Sequence, residues 1–142
     1  MLSRVEKFEV ALKQTECDAV LVTNLKNIYY LTGFSGTEAT VFISKKRRIF
    51  LTDSRYTLIA KGVVEGFDIV ETRDAVGEIA KIIADDKLEK IGFDDEISYA
   101  YFKMLESVFA GHELVPMTGF IENLRMIKDE QEIATIRRAC QI

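Results

Sequence analysis

At 142 residues, with 48% hydrophobic and 30% charged residues, one proline and eight glycines, the chain suits a single folded domain and not a disordered or fibrous one. A domain near this size buries roughly 70% of the surface its unfolded chain exposes, so a real core is expected. The net charge of -4, from 19 basic and 23 acidic residues, argues against general attraction to nucleic acid or anionic lipid, and no apolar run approaches the roughly 18 residues of a membrane span.

Residues 3–16, with Leu2 just before them, place Leu2, Val5, Phe8 and Leu12 on one helical face, and Ser3-x-x-Glu6 fits a capping box, so the chain is expected to open with an amphipathic helix. Ala19-Val20-Leu21-Val22-Thr23 is a short apolar run of the kind found in strands buried on both faces. Asn24 begins a helical turn carrying Tyr29, Tyr30 and Leu31 towards Gly33-Phe34-Ser35-Gly36, a flexible glycine loop expected to present Phe34. Thr40–Ser44 and Arg48–Thr52 read as an antiparallel strand pair around the basic run Lys45-Lys46-Arg47-Arg48. Between two strands, that run fits a solvated hairpin turn better than a phosphate-binding patch.

After the hairpin, Asp53 or Ser54 is expected to cap a helix over residues 55–64. Asp68–Glu71 reads as a strand, Ala75–Asp85 as a helix with Val76, Ile79, Ile82 and Ile83 on its apolar side, and residues 90–94 as another strand. Ser98 caps a helix carrying Phe102, Leu105 and Phe109 that stops at Gly111, and Glu113–Pro116 closes the pattern as an edge strand. Six short strands with intervening helices predict a three-layer α/β/α domain with a mixed, mostly six-stranded sheet.

From Met117 the character changes. Ile121, Leu124 and Ile127 form a short helical segment, and Asp129-x-x-Glu132 can cap a last helix whose Ile133, Ile136 and Cys140 need a partner. That partner is either this domain itself or something beyond residue 142. The expected division is therefore a domain over residues 1–120 and a linker with a first helix over residues 121–142.

The chemistry of a catalytic centre is sparse. His112, the one histidine, follows Gly111 in a loop and has no second histidine at helical spacing. Cys17 and Cys140 lie far apart without a Cys-x-x-Cys spacing, which reads as reduced packing cysteines, and the charged start of the chain is unlike a secretory leader. Both point to the cytoplasm. No nucleophile elbow, dinucleotide fingerprint or Walker loop is present. Asp94-Asp95-Glu96 after a strand fits a solvated helix entrance, with an acidic metal pocket or phosphoacceptor as the other reading. Asp53 and Arg55 fit either a helix cap with a local ion pair or a surface lining an interdomain or dimer contact.

Two stretches together resemble a known family. Tyr29-Tyr30-Leu31-Thr32-Gly33-Phe34 with Thr52-Asp53-Ser54-Arg55-Tyr56, and then Arg125-Met126-Ile127-Lys128-Asp129-Glu130-Gln131-Glu132-Ile133 with Ile136-Arg137-Arg138-Ala139, are similar to the amino-terminal domain of the creatinase and prolidase family and to the segment by which it enters the catalytic domain. The resemblance implies the non-catalytic half of an Xaa-Pro dipeptidase or aminopeptidase that cleaves before proline. It implies two divalent ions, manganese, cobalt or zinc, held by a carboxy-terminal pita-bread domain outside these residues, and no catalytic or metal-binding residue within them. It also implies a homodimer acting on short proline-containing peptides, with no nucleic-acid or membrane partner. The 33–38 loop, through Phe34 and Glu38, becomes a candidate gate to the active site, and Asp53, Arg55 and Tyr56 become candidates for substrate access or an interface. A creatinase-like amidinohydrolase, or an interaction module like the related domain of a histone-chaperone subunit, shares the same plan.

Overall fold

The computed structural model describes residues 2–127 and 130–141, Glu130 by its backbone alone. The element order is α1 (Arg4–Lys13), β1 (Ala19–Val22), α2 (Leu25–Thr32), β2 (Thr40–Ser44), β3 (Arg48–Thr52), α3 (Thr57–Val63), β4 (Asp68–Glu71), α4 (Ala75–Asp85), β5 (Lys90–Phe93), α5 (Tyr99–Val108), β6 (Glu113–Pro116), α6 (Phe120–Met126) and α7 (Glu130–Cys140). Six strands form one sheet in the order β4-β3-β2-β1-β5-β6. β2 runs antiparallel to both its neighbours, with Leu21 opposite Phe42 and Phe42 opposite Ile49, and every other pairing is parallel. The mixed sheet, with its antiparallel part at residues 40–52, is the one that the pattern of short apolar runs predicts.

Both faces are covered, which is why the central strands read as continuous apolar runs. Side chains alternate across the sheet. Val20, Val22, Val41, Ile43 and Phe50 face Phe8 and Leu12 of α1, Ile28 of α2 and Ile121 of α6. Leu21, Phe42, Leu51, Ile91 and Phe93 face Ile79 and Ile83 of α4 and Leu105 and Phe109 of α5. Cys17 is buried beside Met117, its Sγ 3.7 Å from the thioether sulfur, and Cys140 is exposed; both are free thiols.

The helix starts follow local chemistry. Ser3 and Glu6 make the reciprocal capping box, Asn24 accepts from the amides of Lys26 and Asn27, and Ser98 accepts from the amide of Tyr101. Asp129, the expected cap of the last helix, lies outside the described residues. The helix after β3 departs from expectation. Neither Asp53 nor Ser54 caps it; α3 begins at Thr57 behind Tyr56, with no side-chain cap, because the Asp53 carboxylate is already engaged by Arg55. Ile127 likewise falls just beyond α6 and is exposed.

The two arginines of the basic turn are paired. Arg47 donates two hydrogen bonds to Asp86 at 2.7 and 2.8 Å, and Arg48 donates two to Glu9 at 2.9 and 2.6 Å. The two guanidinium groups therefore clamp the hairpin to α4 and α1.

Candidate functional site

Five of the six strands point the same way, so their carboxyl ends converge on one edge of the sheet, joined there by the start of β2. In open α/β sheets the crevice for a ligand lies at such an edge, where the strand order reverses. Here the reversal falls between β1 and β5, and the crevice is filled by the chain's own carboxylate. Asp94, just past β5 and 3% exposed, accepts from the Thr23 amide at 3.1 and 3.0 Å, the Thr23 hydroxyl at 3.1 Å and the Asn24 amide at 2.7 Å. Burial pushes the Asp94 carboxyl up, while the amides of Asn24 and Thr23 pull it back down. This corrects the reading of Asp94-Asp95-Glu96 as a solvated helix entrance. Only Asp95 and Glu96 are exposed, Asp95 accepting from the Thr118 hydroxyl at 2.8 Å and Glu96 from the Asn24 side-chain amide at 2.9 Å.

The second feature of this edge is the 33–38 loop and the turn after β3. Gly33 ends α2 in the left-handed conformation, with φ of +80°, and its amide donates to the Tyr29 carbonyl at 2.8 Å. The chain then turns inward. Phe34 is 2% exposed, edge-on to Phe50 at 5.0 Å and to Tyr56 at 5.6 Å between ring centroids. It is thus a core anchor and not a ring presented on a loop tip, for the apolar gain of burying a phenyl group, about 1.5–3 kcal/mol, outweighs its display to water.

Gly36 lies against these rings. A β-carbon there would stand 2.4 Å from Phe34 Cζ and 3.0 Å from Tyr56 Cε1. Close approach, more than flexibility, demands glycine at this position. The loop is tied further along as well: the Tyr56 and Thr37 hydroxyls are hydrogen-bonded at 2.8 Å, and Thr52 donates its hydroxyl to the Glu38 carbonyl at 2.5 Å.

Asp53 accepts from the Arg55 amide at 3.0 Å and from Arg55 Nη2 at 2.6 Å. The Arg55 guanidinium holds the Asp53 carboxyl below the usual carboxylate range, and Asp53 in turn raises Arg55. Arg55 also lies 5.4 Å over the Tyr56 ring. Beside this pair opens a polar cleft of about 290 Å³, lined by Glu38, Thr52, Asp53, Arg55, Thr72 and Arg73. The structure therefore brings Glu38, Asp53 and Arg55 together on one cleft, turns Tyr56 towards Phe34 and Thr37, and buries Phe34 beneath them.

On its other side the same loop borders a wider groove of about 810 Å³ between α2 and α7, where Tyr29 is 56% exposed. Near by on the chain, α3 shows Leu58, Ile59 and Val63 to solvent. Tyr101, half-buried on α5, has its phenol pushed up to about 12, by burial first and then by the Asp94 and Glu38 carboxylates, so it is no proton carrier near neutral pH. No group of three or more histidine, cysteine, aspartate or glutamate side chains that could hold a metal ion occurs among the described residues. No helix among them is long and apolar enough to cross a membrane. What this edge offers is shape and polarity for binding.

The sequence profile of the Creatinase/Prolidase N-terminal domain matches residues 4–127. An uncharacterized peptidase of Bacillus subtilis (strain 168), YqhT, is 32% identical over 141 residues, 98% of this chain and 40% of the relative. The crystal structure of an Xaa-Pro aminopeptidase, aminopeptidase P, from Streptococcus thermophilus superposes with a TM-score of 0.85 at 57% identity, covering 87% of this chain and 96% of that one. The Xaa-Pro dipeptidase from Bacillus anthracis gives a TM-score of 0.84 at 32% identity, covering 92% of this chain and 37% of that one. The chain spans 40% of the length of the curated relatives it matches.

Proposed function

Because this chain belongs to the creatinase/prolidase N-terminal domain family, we propose that it is the non-catalytic domain of an Xaa-Pro dipeptidase or aminopeptidase, a metallopeptidase that hydrolyses the peptide bond before proline. The observation that carries this reading is the match over residues 4–127, joined by relatives that bear Xaa-Pro peptidase names. Those names lend no matching support to creatine hydrolysis or to a histone-chaperone role.

The side-chain chemistry fits a supporting part. Several acidic groups are committed to the fold: Asp94 to Thr23 and Asn24, Asp53 to Arg55, Glu9 to Arg48 and Asp86 to Arg47. These residues do not fit a two-metal site; on the proposed reading, manganese, cobalt or zinc would be held by a carboxy-terminal domain outside them, and no hydrolytic step is assigned to this chain. Its contribution is a surface. Glu38 and Arg55, on the polar cleft, and Tyr56, which ties down the 33–38 loop, bear on the access of short peptides. The exposed Leu58, Ile59 and Val63 of α3 suit a homodimer contact. Two free thiols accord with a reducing, cytoplasmic setting.

The test is proline release. The product of the complete gene, purified and loaded with manganese, is expected to free proline from an Xaa-Pro dipeptide. Failure on Xaa-Pro dipeptides and on longer peptides with proline in second place would overturn the reading.

A further inference from the structure

The polar cleft beside Asp53 and Arg55 opens at the carboxyl ends of the parallel strands β3 and β4, the side of an α/β sheet on which ligands are taken. Four charged side chains line it, two acidic and two basic: Glu38, Asp53, Arg55 and Arg73. Asp53 and Arg55 are matched to each other, with Arg55 Nε 3.2 and 3.1 Å from the two carboxylate oxygens and Nη2 2.6 Å from one of them. Glu38 and Arg73 are left over. Both are exposed, and neither side chain has a hydrogen bond or ion pair among the described residues. The four charges nonetheless share one field: Asp53 is lowered first by Arg55 and more weakly by Arg73, and Arg55 is raised first by Asp53 and more weakly by Glu38.

A buried residue sets the spacing of the leftover pair. Thr52, 3% exposed, donates its hydroxyl to the Glu38 carbonyl, and its own carbonyl accepts from the Thr72 amide at 2.9 Å. It therefore ties down the backbone beside both charges. The Thr72 hydroxyl accepts in turn from the Asp74 amide at 2.9 Å, which fixes the turn that carries Arg73 into α4. Walls positioned in advance lower the ordering cost of binding.

We propose that the cleft is a binding site for a small zwitterion, an amino acid or dipeptide, with Arg73 receiving the carboxylate and Glu38 the ammonium group. A carboxylate alone would meet Arg73 but also the charges of Glu38 and Asp53, and an ammonium group alone would meet both arginines. A molecule that carries both groups matches a lining whose charges sum to zero. The planar guanidinium of Arg73 suits a carboxylate because it can donate two parallel hydrogen bonds. At about 290 Å³ the cleft is at the small end of ligand sites, which run from roughly 300 to 1,000 Å³, so it suits one or two residues and not a long peptide. The inference deepens the proposed function and rests on it only for the source of the ligand, the ends of a short peptide or a released amino acid.

The experiment is a titration of the 142-residue chain, without metal, followed through its backbone amide NMR signals. Glycylglycine should shift the amides of Thr40, Arg55 and Thr72 saturably in the millimolar range. Arg73→Gln should weaken glycylglycine by about two- to fivefold, the worth of one exposed charge pair, and leave glycinamide, which has no carboxylate, no weaker. Glu38→Gln should weaken glycylglycine by a similar factor and leave N-acetylglycine, which has no ammonium group, no weaker. Both side chains are exposed, so neither substitution threatens the fold. Absence of saturable shifts, shifts centred away from the cleft, N-acetylglycine or glycinamide binding as tightly as glycylglycine, or an affinity unchanged by both substitutions would each overturn the proposal. Because this titration involves neither metal nor hydrolysis, its failure would leave the proline-release test of the complete enzyme standing, and the reverse holds as well.

Discussion

A β-carbon on Gly36 would meet the Phe34 ring at 2.4 Å, so the tightest point of the 33–38 loop is where its backbone crosses over an aromatic side chain from the same loop. The ring cannot yield freely, since Phe50 and Tyr56 hold its other sides. Gly36→Ala is expected to cost about 1–3 kcal/mol, as overpacking of a filled site does. Gly62, with open space around it on α3, supplies the contrast: Gly62→Ala should stabilise by about 0.5–1 kcal/mol. Urea unfolding of both variants checks this, and equal shifts of the same sign would refute the crowding argument.

Removing the carboxylate that fills the crevice should be costly. Asp94→Ala leaves the amides of Thr23 and Asn24 buried without an acceptor, at about 1–3 kcal/mol. Because Asn24 also caps α2, hydrogen exchange should quicken first at the start of that helix. Uniform loss of protection across the whole sheet would show that the clasp is not local.

Asp18 provides the pH test. Its carboxylate accepts from the Lys90 amide at 3.0 Å and the Glu89 amide at 2.9 Å, and these bonds, that of Lys90 foremost, hold the carboxyl below its usual range despite partial burial. A carboxyl lowered in the folded state stabilises the fold above its unfolded value, near 4, and gives that up as pH falls through the lower folded value. Asp18→Asn should therefore be less stable than the parent chain at pH 7, by a margin that shrinks below about pH 4. A margin constant from pH 7 to pH 2.5 would rule out this linkage.

If the polar cleft governs access, substitution there changes binding more than turnover. In the complete metal-loaded enzyme, Arg55→Ala is expected to raise KM for a longer proline-containing peptide by about two- to tenfold, the worth of one hydrogen bond, with kcat nearly constant. An equal fall in kcat for dipeptide and longer peptide would place Arg55 outside substrate access.

Much of this fold is written in local signals. Ser3-x-x-Glu6, Asn24 and Ser98 mark helix starts because a cap depends only on neighbours in sequence, and the 40–52 hairpin follows from two apolar runs around a charged turn. The sites are harder to read because their partners come from elsewhere in the chain. Phe34 looks presentable on a glycine loop until β3 and the turn after it bring Phe50 and Tyr56 alongside. Asp53 and Ser54 both suit a helix cap, yet Arg55, two residues on, claims the carboxylate first. Asp94 reads as one of three solvated acids, since the amide that needs it belongs to Thr23, 71 residues earlier, and meets it only through the parallel pairing of β1 with β5. An aspartate directly after a buried strand was the available signal.

Manganese titration of the 142-residue chain by itself, followed by an assay on an Xaa-Pro dipeptide, bears most directly on the proposal that this domain supports catalysis without performing it. The expected result is no stoichiometric metal binding and no free proline, at concentrations where the complete enzyme shows both. Saturable binding of manganese with measurable proline release by the chain alone would contradict it.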